Sequence, residues 1–251
     1  MIDLNAPVWE TLSAAGNDAD KWLRCLLEGN GDIRENITIL AEDLSHQLSY
    51  YSATAYVLPH LAAFCAQLST EDKIFLIAQI GAAIAAENYT PLEPQTEAYE
   101  QFMEGLTGLR SELTALIQNT KLENFLTSDI GLGQEFALSA LSIFGERKHA
   151  YAIYLMSGSC WEEWCAACTC GWNDETLSLS DQPECLEPIE IGTWDGKSLT
   201  DEAVWFYGLL ALAGDEEIKR IVPLLYGTGV CPNCGKREPY WTWYNRFMED
   251  Y

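Results

Sequence analysis

Two short cysteine spacings constrain this chain more than any other feature: Cys165-Ala-Ala-Cys168 and Cys231-Pro-Asn-Cys234. Two residues between sulfurs let one tight turn aim both at a single point, and four thiolates at the corners of a tetrahedron are the set that zinc prefers in closed, structural sites. The fold must therefore return the chain to its starting point across the 62 residues that separate Cys168 from Cys231. In CPNCG a glycine follows the second cysteine, where it relieves the backbone as amide groups turn toward sulfur. In the first segment the glycine follows Cys170 instead, so Cys168 or Cys170 can partner Cys165; the two-residue spacing favours Cys168. The expected ligands of one structural zinc are accordingly Cys165, Cys168, Cys231 and Cys234. The histidines (His46, His60, His149) all lie far upstream, which favours a closed site over a catalytic one. Cys25, Cys65, Cys160 and Cys185 stand alone and read as core or surface thiols.

Upstream of this region the pattern is helical, with apolar residues recurring at three and four positions. Ile74, Ile77, Ile80 and Ile84 form one stripe, behind Thr70 as the expected cap, with Glu71 and Asp72 in the favourable first turn. Leu106, Leu109, Leu113, Leu116 and Ile117 form another. Breakers at Gly29 and Gly31, at residues 89–94 and at 129–133 divide the stretch into helical hairpins, and Pro59 predicts a kink or break within the apolar run 53–64. The expected fold is mainly α: stacked hairpins of the HEAT or armadillo kind over 1–157, with a compact bundle as the alternative because no sharp repeat is visible. A small zinc-ribbon-like region over 158–251 follows. Within it, residues 200–226 return to a helical hairpin, with Thr200 as cap and Val204, Leu209, Leu212, Ile218, Ile221 and Leu225 buried.

The 38 acidic and 14 basic residues leave a formal charge of −24, spread through both halves of the chain. Such a surface repels nucleic-acid phosphates and anionic membranes, and its electrostatic complement is a basic protein; the plainer reading is that acidity maintains solubility. No secretory signal opens the chain, and the most apolar window, 203–214, is short of the ~20 residues a membrane span needs. Nine cysteines in a chain of this kind suit a reducing compartment, so a cytoplasmic location is expected.

The densest polar and aromatic cluster of the helical part comprises Glu42, Asp43, His46 and Gln47, running on to Tyr51 and Tyr56. Glu42 and His46 stand one helical turn apart and can form an acid–base pair; the plainer reading is a helix-end histidine bonded to backbone. No phosphate-binding glycine loop, nucleophile elbow or His-Glu-x-x-His helix is present. The aromatic tail, with Trp241 and Trp243, lacks the cationic groove that single-stranded nucleic acid requires and is expected to pack internally.

The run His46-Gln47-x-x-x-Tyr51-x-Ala53-Thr54-Ala55-Tyr56-x-x-Pro59-x-Leu61 resembles a signature of bacterial HEAT-like hypothetical proteins, some of which are taken to be immunity proteins for polymorphic toxins. The ending Leu224-Leu225-Tyr226-Gly227-Thr228-x-x-Cys231-Pro232-x-Cys234-Gly235 is similar to their passage from a last helix into a zinc knuckle. This chain departs at Leu48, where the pattern has glycine, and at His60, where it has an apolar or aromatic residue. The resemblance implies the helical fold more than an activity; together with the acidic charge, the expected function is a non-enzymatic protein-binding scaffold, with an immunity protein that captures a basic toxin domain as one form of it. The alternative is a hydrolase or nucleotide-processing enzyme that uses Glu42, Asp43 and His46.

Overall fold

The computed structural model describes residues 1–157, 163–179, 181 and 183–249. It is mainly helical, with a few short strands toward the C-terminus. The chain folds into two compact units, Met1–Tyr154 and Leu155–Tyr251. No helix among the described residues is long and apolar enough to cross a membrane.

The first unit contains α1 (Ala19–Glu28), α2 (Ile33–Ser45), α3 (Ala53–Cys65), α4 (Thr70–Ala86), α5 (Glu97–Asn119), the single turn α6 (Glu123–Leu126), α7 (Ile130–Phe144) and most of α8 (Arg147–Ser157). Oxygen-bearing side chains start four of them: Asp32, Ser69, Thr96 and Asp129 accept the amide hydrogens left free in the first turns of α2, α4, α5 and α7. The cap of α4 is thus Ser69 and not Thr70. Ser69 also donates to the Asp72 carboxylate at 2.8 Å, so both side chains are satisfied in one box. The isoleucine and leucine stripes of α4 and α5 are buried as the periodicity predicts.

Helices adjacent in sequence are not the most closely packed. α1 packs on α2, but the closest associations join α3 to α5 and α4 to α7, with α2 also against α4 and α1 against α3. Glycines permit both close pairs. Gly105 meets Leu58 and Pro59, Gly108 meets Ala62, and Gly81 meets Ser139 and Tyr154. A helix surface without Cβ lets the facing backbone approach to a distance any side chain would prevent. α3 runs through Pro59 without the expected break.

The second unit holds a hairpin of β1 (Glu163–Ala167) and β2 (Asn173–Ser178), a three-stranded antiparallel sheet in the order β3 (Leu186–Glu187), β4 (Thr228–Val230), β5 (Arg237–Pro239), and the helices α9 (Glu202–Ala213), α10 (Glu216–Leu225) and α11 (Tyr240–Glu249). α9 and α10 form the hairpin expected over 200–226, but Asp201, and not Thr200, caps it by accepting from the Val204 amide at 3.2 Å. Val204 and Leu212 are only half-buried; Trp205, Phe206 and Leu210 fill the core instead. The aromatic tail forms α11, whose Tyr240, Trp241, Trp243, Tyr244 and Phe247 are buried. Trp164 of β1 packs against Tyr240, Trp241 and Tyr244, with ring centroids 5.7–6.1 Å away. Cys160, expected as a solitary thiol, lies outside the described residues.

Candidate metal centre

Each hairpin of the second unit turns on a cysteine pair. After β1, the Cys168 amide donates to the Trp172 carbonyl at 2.8 Å and the Gly171 amide to the Cys168 carbonyl at 3.0 Å, closing a tight turn over Thr169 and Cys170. After β4, the Cys231 amide donates to the Lys236 carbonyl at 2.9 Å and the Gly235 amide to the Cys231 carbonyl at 2.8 Å. Gly171 and Gly235 occupy matching places with φ +88° and +73°, a region that side chains rarely adopt. The two turns are the same device, one with a single residue between its cysteines and one with two.

The turns bring together Cys168, Cys170, Cys231 and Cys234, whose sulfurs all lie within 4.8 Å of one another. Cys168 Sγ is 3.7 Å from Cys234 Sγ, and Cys170 Sγ is 3.6 Å from Cys231 Sγ. This group can hold a metal ion. Among the described residues no other set of three or more His, Cys, Asp or Glu ligands converges in this way.

The expected ligand Cys165 does not belong to the group, and Cys170 takes its place. Cys165 sits within β1, where its thiol faces the Glu175 carbonyl of the paired strand at 3.5 Å and its own carbonyl accepts from the Tyr240 hydroxyl at 3.1 Å. Burial and the nearby Glu175 and Asp174 carboxylates raise its pKa, which opposes a thiolate. β1 runs to Ala167 with a register shift between Trp164 and Ala166, and the first-hairpin sulfurs that converge belong to residues past the strand end. The glycine after Cys170 was the signal in the sequence that marked this turn.

The Trp172 amide, with lesser help from the Asn233 side chain, lowers Cys170 to about 6. The Lys236 amide pulls on Cys234 in the same direction, yet burial and the three neighbouring sulfurs leave it raised to about 12. A thiolate is thus favoured at Cys170 and opposed at Cys234, and a positive charge beside them would favour the ionised form of both. Cys168 and Cys231 are buried, while Cys170 and Cys234 form the outer edge.

α11 braces both hairpins. Arg246 donates to the Ala167 carbonyl at 2.7 Å, one residue before Cys168, and pairs with Glu238 of β5 at 3.1 Å. Trp243 packs on Trp172 at 5.1 Å and lies over Gly229, where a Cβ would come within 2.6 Å of its ring. Trp172 is two residues past Cys170 and Gly229 two before Cys231, so one indole sets the spacing of the two turns.

The polar cluster of the first unit is dispersed by folding. Asp43 is buried and accepts from the amides of Gly16 and Asp18, pinning the segment before α1. Tyr56 packs edge-on against Trp9 at 6.3 Å, and Tyr51 is half-buried. Glu42, His46 and Gln47 remain exposed around a shallow depression, which neither tyrosine lines. The His46 carbonyl, and not its ring, closes the helix end by accepting from the Ser49 amide at 3.1 Å. Gln47 and Leu48 follow with φ +54° and +55°. At Leu48 this left-handed backbone is one that glycine adopts at lower cost than leucine.

No family model, curated protein or solved structure matches this chain.

Proposed function

We propose that this chain is a zinc-stabilised, non-enzymatic protein-binding scaffold that acts in the reducing cytoplasm, with Cys168, Cys170, Cys231 and Cys234 holding the ion. The observation that carries the metal is the convergence of four sulfurs within 4.8 Å. A tetrahedron with Zn–S bonds of ~2.3 Å has sulfurs ~3.8 Å apart, and the Cys170–Cys231 and Cys168–Cys234 pairs stand at 3.6 and 3.7 Å. A full set of four thiolates leaves no open position for substrate or water, which supports a structural role. Such an ion would tie two hairpins that otherwise share few strand bonds.

The scaffold reading draws on the helical first unit and the charge. Helices α1, α3 and α5 follow one another in contact, as do α2, α4 and α7, which supports a HEAT-like layering. A formal charge of −24 favours a basic protein over nucleic acid or membrane, and a nuclease toxin captured by its immunity protein fits that chemistry. Use of Asp43 as a catalytic group is disfavoured, because its carboxylate is committed to two backbone amides.

Elemental analysis of purified protein should find about one zinc per chain, released by a chelator together with loss of cooperative unfolding of the second unit. Less than about half an equivalent would overturn the metal assignment. Pull-down from the native host should recover a basic protein whose association slows as salt rises from about 50 to 500 mM, where screening shortens from ~14 to ~4 Å. An acidic partner, or an association rate indifferent to salt, would overturn electrostatic capture.

A further inference from the structure

Each of the two cysteine turns presents one exposed and one buried residue: Cys170 and Cys234 are exposed, Cys168 and Cys231 buried. The short sulfur contacts run between the turns and join the two kinds. Exposed Cys170 lies 3.6 Å from buried Cys231, and exposed Cys234 lies 3.7 Å from buried Cys168. A disulfide needs its sulfurs ~2.05 Å apart, which leaves under about 2 Å for side-chain rotation to close in either pair. An exposed thiolate with a second cysteine at this range can do what an oxidant-sensing thiol does: one sulfur reacts first, and its partner resolves the product before further oxidation destroys it.

We infer that these cysteines form a reversible switch for hydroperoxides, in which Cys170 and Cys234 react first and Cys231 and Cys168 resolve them into two disulfides that join the hairpins in place of the metal. The inference rests on the metal assignment above and adds a regulation to that site. The Cys170 thiolate attacks one peroxide oxygen, the O–O bond breaks, and hydroxide leaves with the electron pair, so the sulfur becomes a sulfenic acid. The Cys231 thiolate then attacks that sulfur; the S–S bond forms as the S–O bond breaks and a second hydroxide leaves. Two electrons pass from the pair to one peroxide, and two protons from solvent turn both hydroxides into water. Cys234 and Cys168 consume a second peroxide in the same way. With every sulfur of the cluster in a disulfide, no thiolate remains to hold a cation. Dithiol reductants reverse the change by exchange and restore the ligand set.

The test treats the full-length protein, purified under reducing conditions and with its zinc content measured first, with rising amounts of hydrogen peroxide. Zinc released to a chromogenic chelator, free thiols, and disulfide linkages mapped by fragment-ion mass spectrometry are followed together. About one zinc should leave as about four thiols are lost per chain, with Cys170 linked to Cys231 and Cys168 to Cys234. Dithiothreitol followed by zinc should restore both thiols and metal, and far-ultraviolet circular dichroism should stay unchanged throughout. Cys165→Ser with Cys185→Ser should release zinc over the same peroxide range to within about twofold, because neither thiol belongs to the switch. Any other pairing would overturn the inference, whether within a turn or to Cys25, Cys165 or Cys185. So would zinc retained after the cluster thiols are lost, or oxidation to sulfinic acid that dithiothreitol cannot reverse. Untreated protein without zinc would instead overturn the metal assignment, and the linkage map would then judge the cross-hairpin pairing by itself.

Discussion

At the level of single residues, the candidate metal centre turns on which cysteines leave their strand. Cys165 lies within β1 at its register shift, whereas Cys168 and Cys170 belong to the turn after it and deliver their sulfurs to one point. Cys170→Ser should therefore lower bound zinc from about one equivalent to less than about half and loosen the second unit. Cys165→Ser should leave the zinc in place, as judged by elemental analysis beside a thermal melt. Retention in the first variant, or loss in the second, would restore the ligand set that spacing alone suggests. His60 carries a second residue-scale consequence. It is buried, its Nε2 lies 2.9 Å from the Ile2 carbonyl, and desolvation lowers its pKa despite that bond. With the folded value below the unfolded ~6.5, the folded state takes up fewer protons. The stabilising contribution is complete above about pH 6.5 and is lost as pH falls through the folded pKa. Parent protein should lose thermal stability between about pH 7.5 and 5.5 more steeply than His60→Gln, which retains a donor for Ile2 and cannot take up a proton. Parallel pH profiles for the two would refute that role.

At the level of elements, the first unit depends on how closely its helices approach. A Cβ at Gly105 would stand 2.5 Å from Leu58 Cβ and 2.7 Å from the Pro59 nitrogen, which is backbone and cannot swing aside. Gly105→Ala should cost ~1–3 kcal/mol through overpacking of α3 on α5. Gly131→Ala in the first turn of α7 meets nothing closer than 3.4 Å and should be neutral or stabilising by up to ~1 kcal/mol through helix propensity. Chemical denaturation of the two variants measures the contrast, and similar effects from both would mean that the close approach is not limiting. Helical periodicity shows which face of α5 is buried but not which helix covers it. That choice depends on Leu58, Pro59 and Ala62, more than 40 residues away.

At the level of the whole molecule, 38 acidic residues oppose 14 basic ones, so each unit must fold against the repulsion of its own surface. Three of the cations bridge elements: Arg147 pairs with the buried Glu87 at 2.9 Å, Lys73 with Glu112 at 2.6 Å, and Arg246 with Glu238 at 3.1 Å. Because each joins one element to another, they add specificity to the packing more than bulk stability.

Local patterns were sufficient for the helices, for the hairpin between the cysteine pairs, and for a cysteine cluster near the C-terminus, because periodicity, caps and tight turns are set by residues within a few positions of one another. They also contained a matched signal, the glycine after Cys170 and after Cys234, that outweighs the two-residue spacing. Tertiary structure alone decided that Cys165 stays in its strand, that α3 meets α5 and α4 meets α7, that α11 clamps both turns through Trp243 and Arg246, and that Gln79 and Glu135 join Glu42 and His46 around one depression. These outcomes rest on backbone approach and side-chain volume between segments tens of residues apart, and no local spacing encodes them.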